Sequence, residues 1–279
     1  MYPIVVKRTL APGVRLYEIR APLVARKAQP GQFVIIRVNE TGERIPLTIA
    51  DFDREFGMIT MVVQEIGFTT KTLAKMEVGD DLLDFIGPLG NPSKLPDSGT
   101  VVCIGGGVGC APLYPQVRAL GEKGVNVITI VGARSAENLI LTRELGRYSK
   151  ELHITTDDGS EGRKGFVSDV LKELIEKGTP IDEVIAIGPM IMMKVVSGVT
   201  KQYAIPTVIS LNSLMVDGTG MCGSCRVTVG GVTKFACVDG PEFDAHQIDF
   251  DEQMKRSAVY RDQEAKALER LNCGCRNGH

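Results

Sequence analysis

Between residues 100 and 211, five short apolar segments alternate with segments of helical pattern, and this alternation constrains the fold more than any other feature. The apolar segments are TVVCI (100–104), VNVITIV (125–131), ELHITT (151–156), EVIAIG (183–188) and PTVISL (206–211). Continuous apolar runs of this length are typical of parallel strands that are buried on both faces. The pattern therefore predicts a doubly wound, parallel α/β domain over residues 98–211, with ligands at the carboxyl ends of its strands.

The turn after the first of these segments has the sequence GGGVGCAP (105–112) and opens a helix. A glycine-rich turn between a strand and a helix predicts a dinucleotide site, because glycines let phosphates approach the backbone. The acidic residue that usually binds the ribose after the next strand is absent, and Arg134 and Ser135 stand there instead. They can meet a ribose 2′-phosphate or line an adenosine, so both NAD and NADP remain open.

The first 97 residues have a different pattern, in which short β-branched segments are separated by glycines. These segments are VIIRV (34–38), PLTIADF (46–52) and MITMVVQEI (58–66). Short strands with frequent turn residues and no long helical pattern predict a small antiparallel barrel over residues 1–97. Residues 89–99, rich in Pro and Gly, are expected to link it to the α/β domain.

Two stretches of this half suit a flavin dinucleotide. In RIPLTIAD (44–51), Arg44 can face a diphosphate and Thr48 can hydrogen-bond near a ring, although an Arg beside a strand is more often a solvated edge. Gly67, Thr69 and Thr70 precede a short helical stretch and can hold a phosphate. The alternative is an ordinary turn that caps the helix.

The most specific motif lies in residues 212–250. Cys222 and Cys225 are followed by Cys237, and Asp217 stands where the plant-type [2Fe–2S] spacing has its first cysteine. A hairpin that turns at residues 230–231 would return Cys237 to the loop. The pattern predicts a [2Fe–2S] cluster. A structural zinc site, cysteines that only pack, and an Asp217 that only serves a turn are the alternatives.

Composition excludes several classes of protein. The net charge of −2 gives no basic footprint for nucleic acid, and no apolar stretch approaches the length of a membrane helix, so a cytoplasmic protein is expected. Seven cysteines in a chain of this length do not suggest a disulfide framework. Cys103 and Cys110 are expected to be packing residues, and the pair Cys273 and Cys275 exposed thiols. Residues 251–279 read as a charged helix and tail.

Together, the strings RIPLTIAD, GGGVGCAP, TTDDGSEGRKGFV (155–167), IGPMIMMKVV (187–196) and the cysteine loop resemble the ferredoxin–NADP reductase superfamily. Within it, the chain is similar to the electron-transfer subunits of dihydroorotate dehydrogenase B. It is still more similar to the small subunits of NADH-dependent reduced ferredoxin:NADP oxidoreductase, also called sulfide dehydrogenase. Asp217 in place of a cysteine favours the latter group. The resemblance extends over nearly the whole chain.

The resemblance implies an FAD-binding barrel, an NAD(P)-binding α/β domain and a [2Fe–2S] segment. The residues implied to contact FAD are Arg44, Pro46, Leu47, Thr48 (near flavin N5), Gly67, Thr69 and Thr70. Those implied along the path of the nicotinamide nucleotide are Gly106, Gly107, Gly109, Asp157, Gly188, Pro189 and Met190, with Arg134 as a candidate from the residues alone. No side chain is expected to act as nucleophile or base, because the cofactors carry the hydride and the electrons.

The implied partner is a large, glutamate-synthase-like subunit with FAD and [4Fe–4S] clusters, in a heterodimer where electron bifurcation occurs. Two alternatives remain. The first is the electron-transfer subunit of dihydroorotate dehydrogenase B. The second is a nucleotide-binding protein without enzymatic activity whose cysteines form a structural zinc knuckle.

Overall fold

The N-terminal part folds into a seven-stranded antiparallel sheet that curves into a nearly closed barrel, in a computed structural model that describes residues 1–273. Its elements are β1 (Tyr2–Ala11), β2 (Val14–Arg20), α1 (Pro22–Ala25), β3 (Phe33–Arg37), β4 (Ile45–Asp53), β5 (Met58–Gln64), α2 (Phe68–Leu73), β6 (Asp81–Leu82) and β7 (Asp84–Leu89). The strand order is β6-β1-β2-β5-β4-β3-β7. The predicted barrel is thus confirmed, although the sequence pattern did not single out β1 and β2, in which polar residues interrupt the apolar ones.

The predicted α/β domain follows. Its elements are β8 (Thr100–Gly106), α3 (Cys110–Glu122), β9 (Asn126–Ala133), α4 (Thr142–Tyr148), β10 (Glu151–Thr156), β11 (Arg163–Lys164), α5 (Val167–Glu176), β12 (Glu183–Ile187), α6 (Met190–Gln202) and β13 (Thr207–Ser210). The sheet order is β11-β10-β9-β8-β12-β13, and these strands are parallel. β9 and β12 flank β8 on opposite sides, so the strand order reverses at β8 and the turns after β8 and β12 adjoin at this switch point, where ligands bind in such sheets.

The cysteine-bearing segment is built around a hairpin. Its elements are β14 (Arg226–Val229), β15 (Val232–Phe235), α7 (Ala236–Asp239) and β16 (Glu242–Asp244), and α8 (Phe250–Ser257) and α9 (Arg261–Cys273) complete the described chain. The hairpin turns at Gly230 and Gly231, both with positive φ, as predicted. The charged stretch after residue 250 forms two helices rather than one. None of the helices within residues 1–273 has the length and apolar character needed to cross a membrane.

The segment does not form a separate module, because β16 pairs antiparallel with β13 and becomes the edge strand of the α/β sheet. It also packs on the barrel. Phe33 and Ile35 of β3 are buried in one cluster with Met215, Cys225 and Cys237. Since side chains alternate along a strand, the intervening Val34 and Ile36 point into the barrel core instead. One strand therefore joins the barrel core to the cysteines.

A partly buried carboxyl group lies where the barrel, the α/β domain and the cysteine segment meet. Oε1 of Glu242 on β16 accepts a hydrogen bond of 2.7 Å from Ser93 Oγ in the linker. The same oxygen accepts one of 2.7 Å from Gln116 Nε2 on α3. A Cβ atom on Gly31 of the barrel would lie 2.7 Å from this oxygen, so the barrel closes the third side. Burial raises the pKa of Glu242 to about 7.

This pKa predicts a pH-dependent stability that Glu242→Gln removes. The folded protein keeps a proton on Glu242 that the unfolded chain loses above about pH 4.5, so the free energy of unfolding falls as the pH rises toward 7 and then levels off. The size of the fall is about 3 kcal/mol at 1.36 kcal/mol per pKa unit. We expect the change in Tm between pH 5 and pH 8 to be smaller for Glu242→Gln than for wild type. The control is Glu40→Gln, which removes an exposed carboxyl and should show the same change in Tm as wild type. Parallel pH profiles for wild type and Glu242→Gln would contradict this.

Candidate functional site

The glycine turns after β8 and β12 lie backbone against backbone. A Cβ atom on Gly109 would overlap the carbonyl oxygen of Ile187 and would lie 2.7 Å from Cα of Gly188. On Gly106, it would lie 3.0 Å from Cδ of Pro189. The side chain of Met192 lies against Gly106 and Gly188, so only glycine fits at these positions and the two turns pack closely at the switch point. Gly107, Pro189 and Met190, the first residue of α6, border the same place, so the structure brings together these residues predicted from the sequence.

The remaining predicted nucleotide residues lie at the ends of the next two strands. Arg134 follows β9 and Asp157 follows β10, and both side chains are exposed. The Asp157 N–H donates to the Ala133 carbonyl over 3.0 Å, and the Ala136 N–H donates to Ser160 Oγ over 2.7 Å. These bonds hold the two loops together at the carboxyl edge, where an adenosine and its ribose would extend from the glycine turns.

Two cysteines near the nucleotide crevice are packing residues. Cys103 in β8 and Cys110 at the start of α3 are both fully buried. Burial raises the pKa of Cys110 to about 12 and raises that of Cys103 as well. Both groups are thiols at neutral pH, as the packing interpretation predicts. Cys275 lies outside the described residues, so the prediction of exposed thiols at Cys273 and Cys275 remains untested.

The candidate flavin face is the outer surface of β4. In the pairing of β3 with β4, Thr48 is opposite Phe33 and Pro46 is opposite Ile35. Directly paired residues project to the same side of a sheet, so Thr48 and Pro46 share the outward face that carries Phe33 toward the cysteines. Leu47 has the opposite orientation and packs against the barrel core. Its backbone, rather than its side chain, is what a ligand can reach.

The predicted diphosphate residues flank this face. The Arg44 guanidinium is partly exposed, with Nη2 3.7 Å from Oδ2 of Asp84, so its charge is only partly compensated. Thr70 Oγ1 accepts a hydrogen bond of 2.9 Å from the N–H of Gly67 and therefore serves its own turn. Thr69 is buried, and its Oγ1 has no hydrogen-bond partner within the part of the chain that the structure describes. This hydroxyl is free to bind a ligand oxygen.

The cysteine loop is organised by Asp217. Its Oδ1 accepts a hydrogen bond of 2.9 Å from the Thr219 N–H, and its Oδ2 accepts one of 2.9 Å from the Cys222 N–H. The first of these hydrogen bonds is the main reason why the pKa of Asp217 is lowered. Gly218 adopts a φ of +76°, and a Cβ there would lie 2.7 Å from Leu89 and 2.8 Å from Ile35. Glycine at position 218 therefore allows the loop to pack against the barrel.

The thiols divide into a buried pair and one exposed group. Sγ of Cys225 and Sγ of Cys237 are 3.3 Å apart, and both residues are buried. This separation is too long for a disulfide and is near the roughly 3.8 Å between two thiolates on one tetrahedral metal ion. Burial is the main cause that raises the pKa of Cys237 to about 12. Cys222 is exposed, and a hydrogen bond with Ser224 is the main cause of its lowered pKa.

The four predicted metal ligands are therefore brought to one loop and one helix start, but not into a closed set. Within residues 1–273, no three His, Cys, Asp or Glu side chains converge as a metal site. Asp217 contacts the backbone of Cys222, and Cys225 contacts Cys237, as two separate pairs. Three thiols and a carboxylate on a glycine-rich loop are a donor set that fits an iron–sulfur cluster.

Helix α8 supports this loop at both ends, a feature that the sequence analysis missed. Gln253 Nε2 donates to Ser213 Oγ over 2.7 Å, and both residues are buried. Arg256 Nη2 donates to the carbonyl of Ser224 over 3.2 Å, between two of the cysteines. The only sequence signal for this role is that α8 follows the hairpin closely, because neither contact is local in the sequence.

Exposed apolar residues of the cysteine loop and α7, here called the apolar rim, lie near the exposed thiol in the sequence. The rim consists of Leu214, Val216, Met221 and Val238, which are 41–88% exposed. Met221, next to Cys222, is 88% exposed. Apolar side chains grouped on a surface are typical of protein–protein contacts.

Comparison with known proteins follows the same division of the chain. Residues 212–249 match the family described as the iron–sulfur cluster binding domain of dihydroorotate dehydrogenase B. Residues 103–198 match the oxidoreductase NAD-binding domain. A relative from Thermotoga maritima, a homologue of the electron transfer subunit of dihydroorotate dehydrogenase B (NAD(+)), is 49% identical and aligns with 96% of this chain and 94% of its own. The corresponding subunit of Desulforamulus reducens is 34% identical, over 86% of this chain and 94% of its own.

Among solved structures, a chain from an NADH-dependent reduced ferredoxin-NADP oxidoreductase, studied for flavin-based electron bifurcation, has a TM-score of 0.92 at 48% identity. The match covers 97% of this chain and 98% of that one. Phthalate dioxygenase reductase has a TM-score of 0.60 at 17% identity over 82% of this chain and 85% of its own, which shows a shared fold.

Proposed function

The chain belongs to the family of electron-transfer subunits of dihydroorotate dehydrogenase B and their homologues, and on that premise we propose that it passes electrons between NAD(H), FAD and a [2Fe–2S] cluster. It is an NAD(P)H-dependent oxidoreductase subunit. The observation that carries the proposal is the shared face of β3 and β4. Phe33 of β3 is the direct strand partner of Thr48 of β4, and its side chain belongs to the same buried cluster as Cys225 and Cys237. A flavin at Thr48 and iron at the thiols would therefore be neighbours.

The residues of the chain bind the cofactors and position them for electron transfer. The backbone at Gly106, Gly107 and Gly109 receives the nucleotide phosphates, and Gly188 and Pro189 lie beside the nicotinamide ring. Thr48 donates a hydrogen bond to the flavin ring, and Thr69 and Arg44 hold its diphosphate. FAD, when bound, supplies the conversion between hydride transfer and single-electron transfer. Burial of Cys225 and Cys237 keeps water from the inner side of the cluster site.

Electrons leave at the apolar rim, where Cys222 is the one exposed thiol of the loop. The family implies a larger partner subunit. We propose that it is a glutamate-synthase-like subunit with FAD and [4Fe–4S] clusters that docks on this rim, as expected from the similarity to a chain of a ferredoxin-NADP oxidoreductase. The second candidate is the subunit of dihydroorotate dehydrogenase B, favoured by the matched domain in residues 212–249. Co-purification from the native host distinguishes a large iron–sulfur flavoprotein from a dihydroorotate-oxidising partner.

The proposal is tested by anaerobic purification of the full chain. We expect bound FAD, about two iron and two acid-labile sulfides per chain, and bleaching of the flavin by NADH. A colourless protein with zinc would replace the proposal with a structural zinc knuckle. A protein that binds flavin but contains no iron would overturn the cluster assignment. Reduction of the flavin by NADH would still be expected in that case.

Replacement of the proposed carboxylate ligand tests Asp217. We expect Asp217→Cys to lower the midpoint potential of the cluster, because a thiolate donates more electron density to iron than a carboxylate does. Redox titration followed by electron paramagnetic resonance measures the shift. Asp251→Cys, the same exchange on the exposed side of α8, is the control and keeps the wild-type potential. A potential higher than wild type in Asp217→Cys would show that Asp217 is not a ligand of this kind.

A further inference from the structure

A buried amide and a partly buried carboxyl group at the junction of barrel, α/β domain and cysteine segment take no part in the function proposed above. Gln116 is fully buried, and its Nε2 donates to Oε1 of Glu242 over 2.7 Å. Its own Oε1 has no hydrogen-bond partner within residues 1–273. A buried amide oxygen without a donor costs free energy, so a group that satisfies it is to be expected.

A proton on Glu242 supplies the missing donor. A carboxylic acid has one O–H donor beside an acceptor oxygen, and a primary amide has the same two functions side by side. The protonated Glu242 can donate from Oε2 to Gln116 Oε1 while Oε1 still accepts from Gln116 Nε2. The ionised carboxylate has no hydrogen to donate and leaves the amide oxygen unpaired.

The surroundings of Glu242 also favour its neutral form. The groups that face it from α3 and from the linker, Gln116 and Ser93, are uncharged. The nearby titratable groups are Glu183 on β12 and Asp244 on β16 itself, and both are carboxyls. Within the described residues, no Lys, Arg or His nitrogen forms an ion pair with Glu242. A negative charge here is therefore neither paired nor well solvated.

We propose that Glu242 and Gln116 form a proton-binding pair whose protonation is coupled to reduction of the iron–sulfur site. The coupling rests on the function proposed above. Phe243, the next residue of β16, packs against the buried cluster that contains Cys225 and Cys237, so one strand separates Glu242 from the thiols. Through a protein interior, charges interact more strongly than through water, so a change of charge at the thiols acts on the carboxyl.

The coupled step balances in charge. One electron from the reduced flavin adds one negative charge at the thiol site, and one proton from solvent binds Oε2 of Glu242. The summed charge of the thiol site and Glu242 then stays constant, which removes part of the cost of adding the electron. Burial raises the pKa of Glu242 to about 7, so the group can gain or lose a proton near neutral pH.

The test is the pH dependence of the midpoint potential in the purified, cofactor-loaded full chain. For wild type we expect a constant potential at acidic pH, a fall as the pH rises above about 7, and a constant value at still higher pH. For Glu242→Gln we expect a constant potential that exceeds the wild-type value at pH 8. Glutamine is neutral like the protonated acid, and its amide can make the same two hydrogen bonds to Gln116.

Two controls make the test specific. Glu183→Gln removes the other partly buried carboxyl of this region and keeps a pH-dependent potential. Infrared spectra at pH 6 are expected to show a protonated carboxyl band in wild type that Glu242→Gln lacks. A wild-type potential that does not change with pH, or a Glu242→Gln potential with the wild-type slope, overturns the coupling. Absence of iron overturns the proposed function instead, and the infrared band then still decides whether the pair binds a proton.

Discussion

Cys225→Ser is expected to yield a folded flavoprotein without its iron. Cys225 is buried, its Sγ lies 3.3 Å from that of Cys237, and it directly precedes β14. A serine hydroxyl is nearly isosteric but is a poor ligand for iron, so the site loses one of three thiolates and the cluster with it. Iron and acid-labile sulfide should fall from about two of each per chain to near zero.

The flavin of the same variant should still be reduced by NADH, because the nucleotide crevice and the face of β4 are built from other elements. Electron transfer to a one-electron acceptor that docks at the apolar rim should be lost, by a factor of at least about 100. Cys110→Ala is the matched control. This thiol is buried at the start of α3, away from the loop, so its removal should leave the iron content unchanged. A Cys225→Ser protein that retains full iron would exclude Cys225 as a ligand.

Gly109→Ala is expected to abolish most of the response to NADH while leaving FAD and iron in place. The added Cβ would overlap the Ile187 carbonyl oxygen, and it would lie 2.7 Å from Cα of Gly188. Both obstacles are backbone atoms, so the turns after β8 and β12 must separate, and over-packing of this kind costs about 1–3 kcal/mol. We expect the Kd for NADH to rise about a hundredfold, which corresponds to about 2.7 kcal/mol.

The measurement is an anaerobic titration of the flavin absorbance with NADH, with dithionite reduction as the reference for intact flavin. Gly198→Ala is the matched control. Gly198 lies within α6, a Cβ there would meet nothing within 4 Å, and alanine favours helix. That variant should bind NADH like wild type. An NADH affinity within twofold of wild type in Gly109→Ala would mean that the crevice between the two turns is not the nucleotide site.

The predictions made from local sequence patterns agree with the structure better than those that depend on distant contacts. The barrel, the five parallel strands and the hairpin at residues 230–231 were confirmed, since each follows from a pattern within a few residues. The contact of Leu47 with FAD stays a prediction: its side chain packs against the barrel core, so only its backbone can reach a flavin beside Thr48. The contact of Arg256 with Ser224 was not anticipated, because no local pattern links two residues 32 positions apart.

The amino-acid sequence by itself determined the order of the three units, the glycine turn that opens α3, and the spacing of Asp217, Cys222, Cys225 and Cys237. These depend on periodicity and spacing along a short stretch of chain. Only the tertiary structure decided that β16 completes the α/β sheet, that Phe33 lies between Thr48 and the thiols, and that Glu242 meets Gln116 across 126 positions. The physical reason is that such contacts arise from strand register and close packing of distant segments, which no local pattern encodes.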